Sequence, residues 1–180
     1  MLCKIRKMDI IIDGYNLIRQ SDRLRRYERQ SLEAGRRALI MNLAEYQKIR
    51  KHKITIVFDG WKNGEAEEER DRQAGIDIIY SRLGEKADEV IKRIADKSIN
   101  ETVVVSSDRE IASYITRLGQ TALSSLDFDN LIYKALTESS TDAFILKDTD
   151  EDDPRNSKKR GPARKLSRSQ KQIQSKIRKL

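Results

Sequence analysis

The chain has 180 residues, a length that fits one domain with extensions, and carries 37 Lys or Arg against 29 Asp or Glu for a formal charge of +8. Its one cysteine, Cys3, excludes an intramolecular disulfide, and its one histidine, His52, leaves no Cys/His cluster for zinc. No run approaches the ~18 apolar residues of a membrane span.

Residues 1–7 are basic and precede no long apolar core, so they read as a dispensable leader rather than a signal peptide, and the expected setting is the cytoplasm. The domain is expected over residues 8–147. Asp9-Ile10-Ile11-Ile12-Asp13 is a short β-branched run that fits no amphipathic helix and reads as a buried strand. Asp13 falls at its C-terminal end, followed by Gly14, Tyr15 and Asn16. An arginine-rich stretch to Gln30 reads as a short helix and loop. Ser31 can cap the next helix, which presents Leu32, Leu39, Leu43, Tyr46 and Ile49 on one face and runs to about residue 50.

Lys51-His52-Lys53 turns the chain into a second strand, Ile54-Thr55-Ile56-Val57-Phe58, which ends in Asp59-Gly60. His52, in a basic turn, reads as a surface residue. Residues 59–64 form a loop. Residues 65–72 are almost wholly charged and read as a solvated helix or a mobile flap. Ile76-Asp77-Ile78-Ile79-Tyr80 is a third strand, expected near the sheet edge and broken by Gly84. A helix over about 86–98 turns Val90, Ile91, Ile94 and Ala95 inward. Thr102-Val103-Val104-Val105 is a fourth strand, ending in Ser106-Ser107-Asp108. The next helix carries Ile111, Ile115 and Leu118 and stops at Gly119. Thr121-Ala122-Leu123 is a fifth strand, and Ser125 or Asp127 caps a last helix bearing Phe128, Leu131, Ile132, Ala135 and Leu136. This alternation of strands and helices predicts an α/β fold of three layers, α/β/α, around a mainly parallel sheet.

Residues 148–180 open with an acidic linker and continue as a basic tail. Residues 155–180 hold eleven Lys or Arg and no Asp or Glu. Taking those eleven from 37 leaves 26 basic against 29 acidic side chains in residues 1–154. A mildly acidic domain therefore carries a strongly basic tail, which suits a polyanion, RNA above all, or serves as a solubilising end. Leu166, Ile173, Ile177 and Leu180 share one face if the tail becomes helical, but alone it lacks the apolar area to fold.

Chemistry is expected where the strands end. Asp13, Asp59 and Asp108 each close a buried strand, and in open α/β sheets ligands bind at that edge. Asp88 lies in the first turn of its helix on the side of Ile91 and Ala95; it is either a fourth inward carboxylate or a charge complementing the helix N-terminus. The bland reading of Asp13 and Asp108 is helix capping. Unpaired carboxylates brought together hold a cation or take up a proton. Four of them without His or Cys are hard oxygen donors suited to Mg²⁺ or Mn²⁺, which keep waters and accept substrate phosphate. That is the chemistry of metal-assisted phosphodiester hydrolysis. Asn16 either orients substrate or a water on the metal, or serves the turn. Ser106 or Ser107 binds phosphate, supports Asp108, or caps the helix. Trp61 and Tyr15 can stack a base or pack. Arg19, Arg23, Arg25 and Arg26 track a nucleic-acid backbone or form a solvated face. Metal-free RNA cleavage usually wants positioned histidines, and His52 sits at the wrong end of its strand.

Ile12-Asp13-Gly14-Tyr15-Asn16, Val57-Phe58-Asp59-Gly60, Ala87-Asp88-Glu89-Val90-Ile91 and Val105-Ser106-Ser107-Asp108-Arg109-Glu110, in that order, resemble the NYN domain in its bacterial YacP-like branch, within the PIN-like nuclease superfamily. The resemblance covers roughly residues 8 to 146. It implies a PIN-like α/β/α nuclease fold, a divalent-metal site and endoribonuclease activity, in some members on messenger RNA at the ribosome. By motif match it implies Asp13, Asn16, Asp59, Asp88 and Asp108 as site residues, the four aspartates as metal ligands. The residues themselves lead to phosphodiester cleavage without choosing RNA over DNA. Two rivals remain. A phosphoacceptor receiver domain would place an extra strand and helix between the strands of Asp13 and Asp59, where only helix and loop fit. A non-catalytic RNA- or ribosome-binding adaptor would keep the fold without turnover.

Overall fold

The computed structural model describes residues 8–60, 67–145 and Leu180. Expectations for residues 1–7, for Trp61 and for the tail before Leu180 lie outside the described residues. The elements, in chain order, are β1 (Asp9–Asp13), α1 (Gly14–Gln20), α2 (Asp22–Glu28), α3 (Leu32–Arg50), β2 (Lys53–Phe58), β3 (Glu69–Gln73), β4 (Ile76–Tyr80), α4 (Ala87–Lys97), β5 (Thr102–Val105), α5 (Arg109–Arg117), β6 (Thr121–Leu123) and α6 (Ser125–Ile145).

One six-stranded sheet runs in the order β3-β4-β2-β1-β5-β6, parallel throughout except for the antiparallel β3–β4 pair. The period-2 alternation of the strands divides their side chains between two cores. Ile10, Ile12, Ile56, Phe58 and Val105 face one way, against Leu17, Leu39, Leu43 and Phe128. Ile11, Val57, Ile79 and Val104 face the other, against Val90, Ile91, Ile111 and Ile115. Both faces of the sheet are covered, and the expected three layers are present. Each fully buried isoleucine contributes about 1.5–3 kcal/mol. Leu180 joins the first core, and the Tyr46 hydroxyl donates to its carbonyl.

The topology positions the site. The chain leaves β1 for β2 on one side, then returns through α4 to β5 on the other. The strand order thus reverses beside β1, and Asp13 ends β1 at that switch point, where a crevice opens outside the strand ends.

Gly14 owes its place to space. A Cβ there would fall 2.3 Å from Cε1 of Phe58 and 2.9 Å from Cγ2 of Ile56. The Phe58 ring is fully buried, 5.1 Å from the Tyr15 ring and 5.7 Å from that of Tyr80. Gly14→Ala is therefore expected to cost about 1–3 kcal/mol by overpacking, read as a fall in the urea midpoint at unchanged slope.

Four local expectations are corrected. The segment read as a helix or flap contributes the edge strand β3, joined to β4 by a two-residue turn in which Ala74 and Gly75 have φ of 50° and 86°. Positive φ at both central residues matches the twist of a hairpin. This moves β4 one place in from the edge. The stretch after Asn16 forms two helices, broken at Ser21, whose hydroxyl accepts from the Leu24 N–H at 3.3 Å. Leu32 is half exposed, because the first turn of α3 rises past the core to the rim of the cleft. His52 is buried, at 1% exposure, and Met8 donates its backbone N–H to Nδ1 at 3.4 Å.

Candidate active site

A cleft of about 920 Å³ opens at the C-terminal edge of the sheet. Asp13, Asn16, Asp59, Asp88 and Asp108 all line it. The carboxylates arrive from four separate elements, so the fold brings together residues up to 95 positions apart in sequence.

Asp13 caps α1, accepting from the Asn16 N–H at 3.2 Å, and its other oxygen accepts from the Ser106 hydroxyl at 3.1 Å. Asp108 caps α5, accepting from the N–H groups of Glu110 at 2.7 Å and Ile111 at 3.4 Å. Capping and clustering are thus compatible: a cap fixes the carboxylate while leaving lone pairs toward the cleft. Ser106 joins the two, because its oxygen also accepts from the Asp108 N–H at 3.2 Å. Asp59 accepts from Ser81 Oγ at 3.3 Å, and that oxygen accepts from the Gly60 N–H at 3.0 Å. Asp88 stands in the first turn of α4, whose start is held by ion pairs: Glu85, 5% exposed, pairs with Arg93 and with Arg82 at 3.3 Å, and Arg93 also binds Glu68.

The electrostatics report crowding of like charge. Burial pushes the Asp13 carboxyl up to about 6, and the Asp88 and Asp108 charges push the same way, against hydrogen bonds from Asn16 and Ser106. Burial also raises Asp88, followed by the charges of Asp108 and, more weakly, Asp59. None of these four aspartates pairs with a described Lys or Arg within 4.0 Å. Among the described residues no three such side chains meet in direct ligating geometry. By donor type alone, a set made only of oxygens matches hard divalent ions that keep waters and not zinc.

Asn16 is oriented by its neighbours. Its Oδ1 accepts from the Ser107 backbone N–H at 3.0 Å and from Ser125 Oγ at 2.7 Å. The backbone N–H can only donate, so the amide oxygen must face it, and the NH₂ is left for the cleft. Ser125 is fully buried, and its own N–H donates to Ser107 Oγ at 3.2 Å. The expected capping role falls one residue earlier. Ser124 Oγ accepts from the Asp127 N–H at 3.1 Å and bonds its carboxylate at 2.6 Å, which frees Ser125 to hold Asn16. Ser125→Ala is expected to cost about 1 kcal/mol in chemical denaturation, with Asn16 Oδ1 keeping one donor of two.

Of the other candidates, Arg19 and Tyr15 line the cleft and Arg23 and Arg25 do not. Arg23 is committed to Asp129 at 2.8 Å, and Arg25 is paired with Asp22 at 3.8 Å. Tyr15 packs against Phe58 while lining the cleft. Ser81, Arg36 and Tyr80 carry no signal in the sequence that marks them for this cleft. Ser81 follows a strand as many serines do, and Arg36 and Tyr80 resemble other polar residues of an amphipathic helix and a half-buried strand.

The match to known proteins agrees with this architecture. The family model of the YacP-like NYN domain matches residues 10–179. The uncharacterized protein YacP of Bacillus subtilis (strain 168) is 33% identical over 89 residues, 49% of this chain and 52% of that protein, so the chain spans about half the length of the curated relative it matches. The crystal structure of Rae1 (YacP) from Bacillus subtilis superposes with a TM-score of 0.63 at 24% identity, covering 76% of this chain and 80% of that one. A mutant of Rae1 superposes with a TM-score of 0.66 at 22% identity, over 77% and 82%. These likenesses carry the fold, and the family model covers nearly all of the sheet and the cleft residues: the chain belongs to the YacP-like NYN domain family.

Proposed function

We propose that the chain is a divalent-metal-dependent endoribonuclease that hydrolyses RNA phosphodiester bonds in the cleft at the strand ends. Family membership supports a nuclease-like, RNA-related domain. The observation that carries the finer reading is the cluster itself: Asp13, Asp59, Asp88 and Asp108 line one cleft with no ion pair within 4.0 Å among the described residues, and Asp13 is pushed up to about 6. Folding alone gives no reason to assemble such a set.

In this reading the four aspartates hold Mg²⁺ or Mn²⁺. When bound, the ion would make an attacking water more acidic and neutralise charge on the scissile phosphate. The rest is done by the chain. Ser106 fixes Asp13 and Asp108 relative to one another, and Ser81 fixes Asp59. Asn16 offers its NH₂ to a phosphate oxygen, held by Ser107 and Ser125. The basic tail recruits RNA by counterion release, supported by its eleven Lys or Arg. Messenger RNA at the ribosome is the setting implied by the resemblance and belongs to this proposal, as does a cytoplasmic location; among the described residues no helix is long and apolar enough to cross a membrane.

The test is end-labelled RNA incubated with the full chain in chelator, then with Mg²⁺ or Mn²⁺ restored. Cleavage that requires the ion and leaves 5′-phosphate ends is expected. RNA bound but intact with either ion would replace this reading with that of a non-catalytic adaptor.

A further inference from the structure

The acidic residues occupy only part of the cleft. Its wall also contains Arg36, from α3, with Tyr80 and Tyr15. The Arg36 guanidinium carbon lies 5.7 Å from the centroid of the Tyr80 ring and 6.0 Å from that of Phe58. Arg36 thus shares the cleft with the four aspartates and forms no ion pair with any of them among the described residues.

Three features set Arg36 apart. Its Nε is buried and has no hydrogen-bond partner among the described residues. No described carboxylate lies within 4.0 Å of it, although Asp59, Glu69 and Asp71 line the same cleft. Its guanidinium also lies within cation–π range of two aromatic rings, Tyr80 and Phe58. A buried N–H donor without an acceptor is costly, and in a native protein it is completed by a water, an ion or a ligand. Arg50 Nε is also unpartnered, but it stands at the C-terminal end of α3, where helix carbonyls favour a cation. The other arginine of the cleft, Arg19, already pairs with Glu28 at 3.4 Å.

We propose that Arg36, set near Tyr80 and Phe58 in the cleft wall, is a substrate-positioning residue that grips the RNA phosphate neighbouring the scissile one. This rests on the nuclease reading for the word scissile, and on the cleft geometry for the rest. The fork of a guanidinium binds two phosphate oxygens at once, so it fixes the direction of the strand as well as holding it. The acidic side of the cleft repels phosphate until a cation is present, whereas Arg36 attracts it with or without one. The strand is thereby anchored one linkage away from the reacting group, and the binding energy is realised next to the chemistry.

Binding and cleavage separate this inference from the one beneath it. Fluorescence anisotropy with labelled single-stranded RNA is measured on full-length Asp108→Asn protein, with Arg36 intact or replaced by Gln or Lys. Arg36→Gln is expected to weaken binding about tenfold or more and to flatten the slope of log affinity against log salt by about 0.7. Arg36→Lys is expected to keep the slope and lose part of the affinity, because a point charge replaces the fork. A scan of RNAs with one uncharged methylphosphonate linkage should reveal one position whose neutralisation weakens the Arg36 protein and leaves the Gln variant unaffected. Equal slopes, or the same linkage profile in both proteins, would overturn the proposal even if the wild type cleaves RNA. An Arg36-dependent profile with no cleavage by the wild type would sustain it and remove the nuclease reading. If Arg36→Gln does not fold, shown by its circular dichroism melt, the Lys variant takes its place: a linkage profile identical to that of the Arg36 protein, with no loss of affinity, would overturn the proposal.

Discussion

Asp108→Asn is expected to reduce RNA cleavage about a thousandfold while leaving the fold as stable as before. The two halves of this expectation come from different atoms of one side chain. Asp108 Oδ1 caps α5 through the N–H groups of Glu110 and Ile111. Asn caps a helix as well as Asp does, through the same amide oxygen, so the substitution retains the cap. What it removes is a negative donor from a cluster in which Asp88 and Asp13 both sense the Asp108 charge. Stabilisation of transition-state charge by a bound ion amounts to several kcal/mol, and each 1.36 kcal/mol is a factor of ten, which gives the thousandfold figure as an order of magnitude. The measurement is a single-turnover cleavage rate in saturating Mg²⁺ or Mn²⁺, beside a thermal melt of each protein. A rate within tenfold of the wild type would remove Asp108 from the reaction. A large loss of both rate and stability would reduce it to a cap.

The parts of this site that could be read from sequence are those that obey local rules. β1, β2 and β5 are β-branched runs between polar turns, and a chain that must cover both faces of a parallel sheet leaves them few alternatives. Once they are parallel, Asp13, Asp59 and Asp108 share an edge without further assumptions. Asp88 follows from helical periodicity against Ile91 and Ala95. β3 escaped because all five of its residues are exposed; with no buried face, a period of two leaves no trace in the hydrophobic pattern. His52 escaped for a related reason: Lys51 and Lys53 on either side are exposed and disguise a side chain turned under Met8. Ser125 and Arg36 illustrate a different limit. The partner of Ser125 is Asn16, 109 residues away, and the buried Nε of Arg36 is set by Phe58 and Tyr80. Nothing in the neighbouring sequence encodes either relation, because each exists only after the sheet has formed.

Asp13→Asn tests the same cluster through stability. The native carboxyl is pushed up to about 6, chiefly by burial, against 3.8 for the unperturbed group. Between those values the folded protein holds a proton that the unfolded chain has released, so stability falls as pH rises through that window. Below 3.8 the contribution is fully present, and above 6 the loss is complete. A shift of this size corresponds to about 3 kcal/mol at 1.36 kcal/mol per unit. Asn at position 13 has no proton to release. Its amide oxygen can still cap α1 through the Asn16 N–H, and its NH₂ can donate to the Ser106 hydroxyl. In chelator at pH 7.5 the variant is therefore expected to melt about 6–12 °C above the wild type, and at pH 4 the two should nearly coincide. Other groups titrate over this range in both proteins, so the difference between the two curves isolates Asp13. Excess divalent ion should then raise the wild-type melting temperature and leave the variant little changed, since an ion that binds only the folded, ionised cluster stabilises it by mass action. A wild type already as stable as the variant at pH 7.5 without any divalent ion would mean that the buried charge is neutralised by the protein itself, and the reason for an ion in the cleft would go with it.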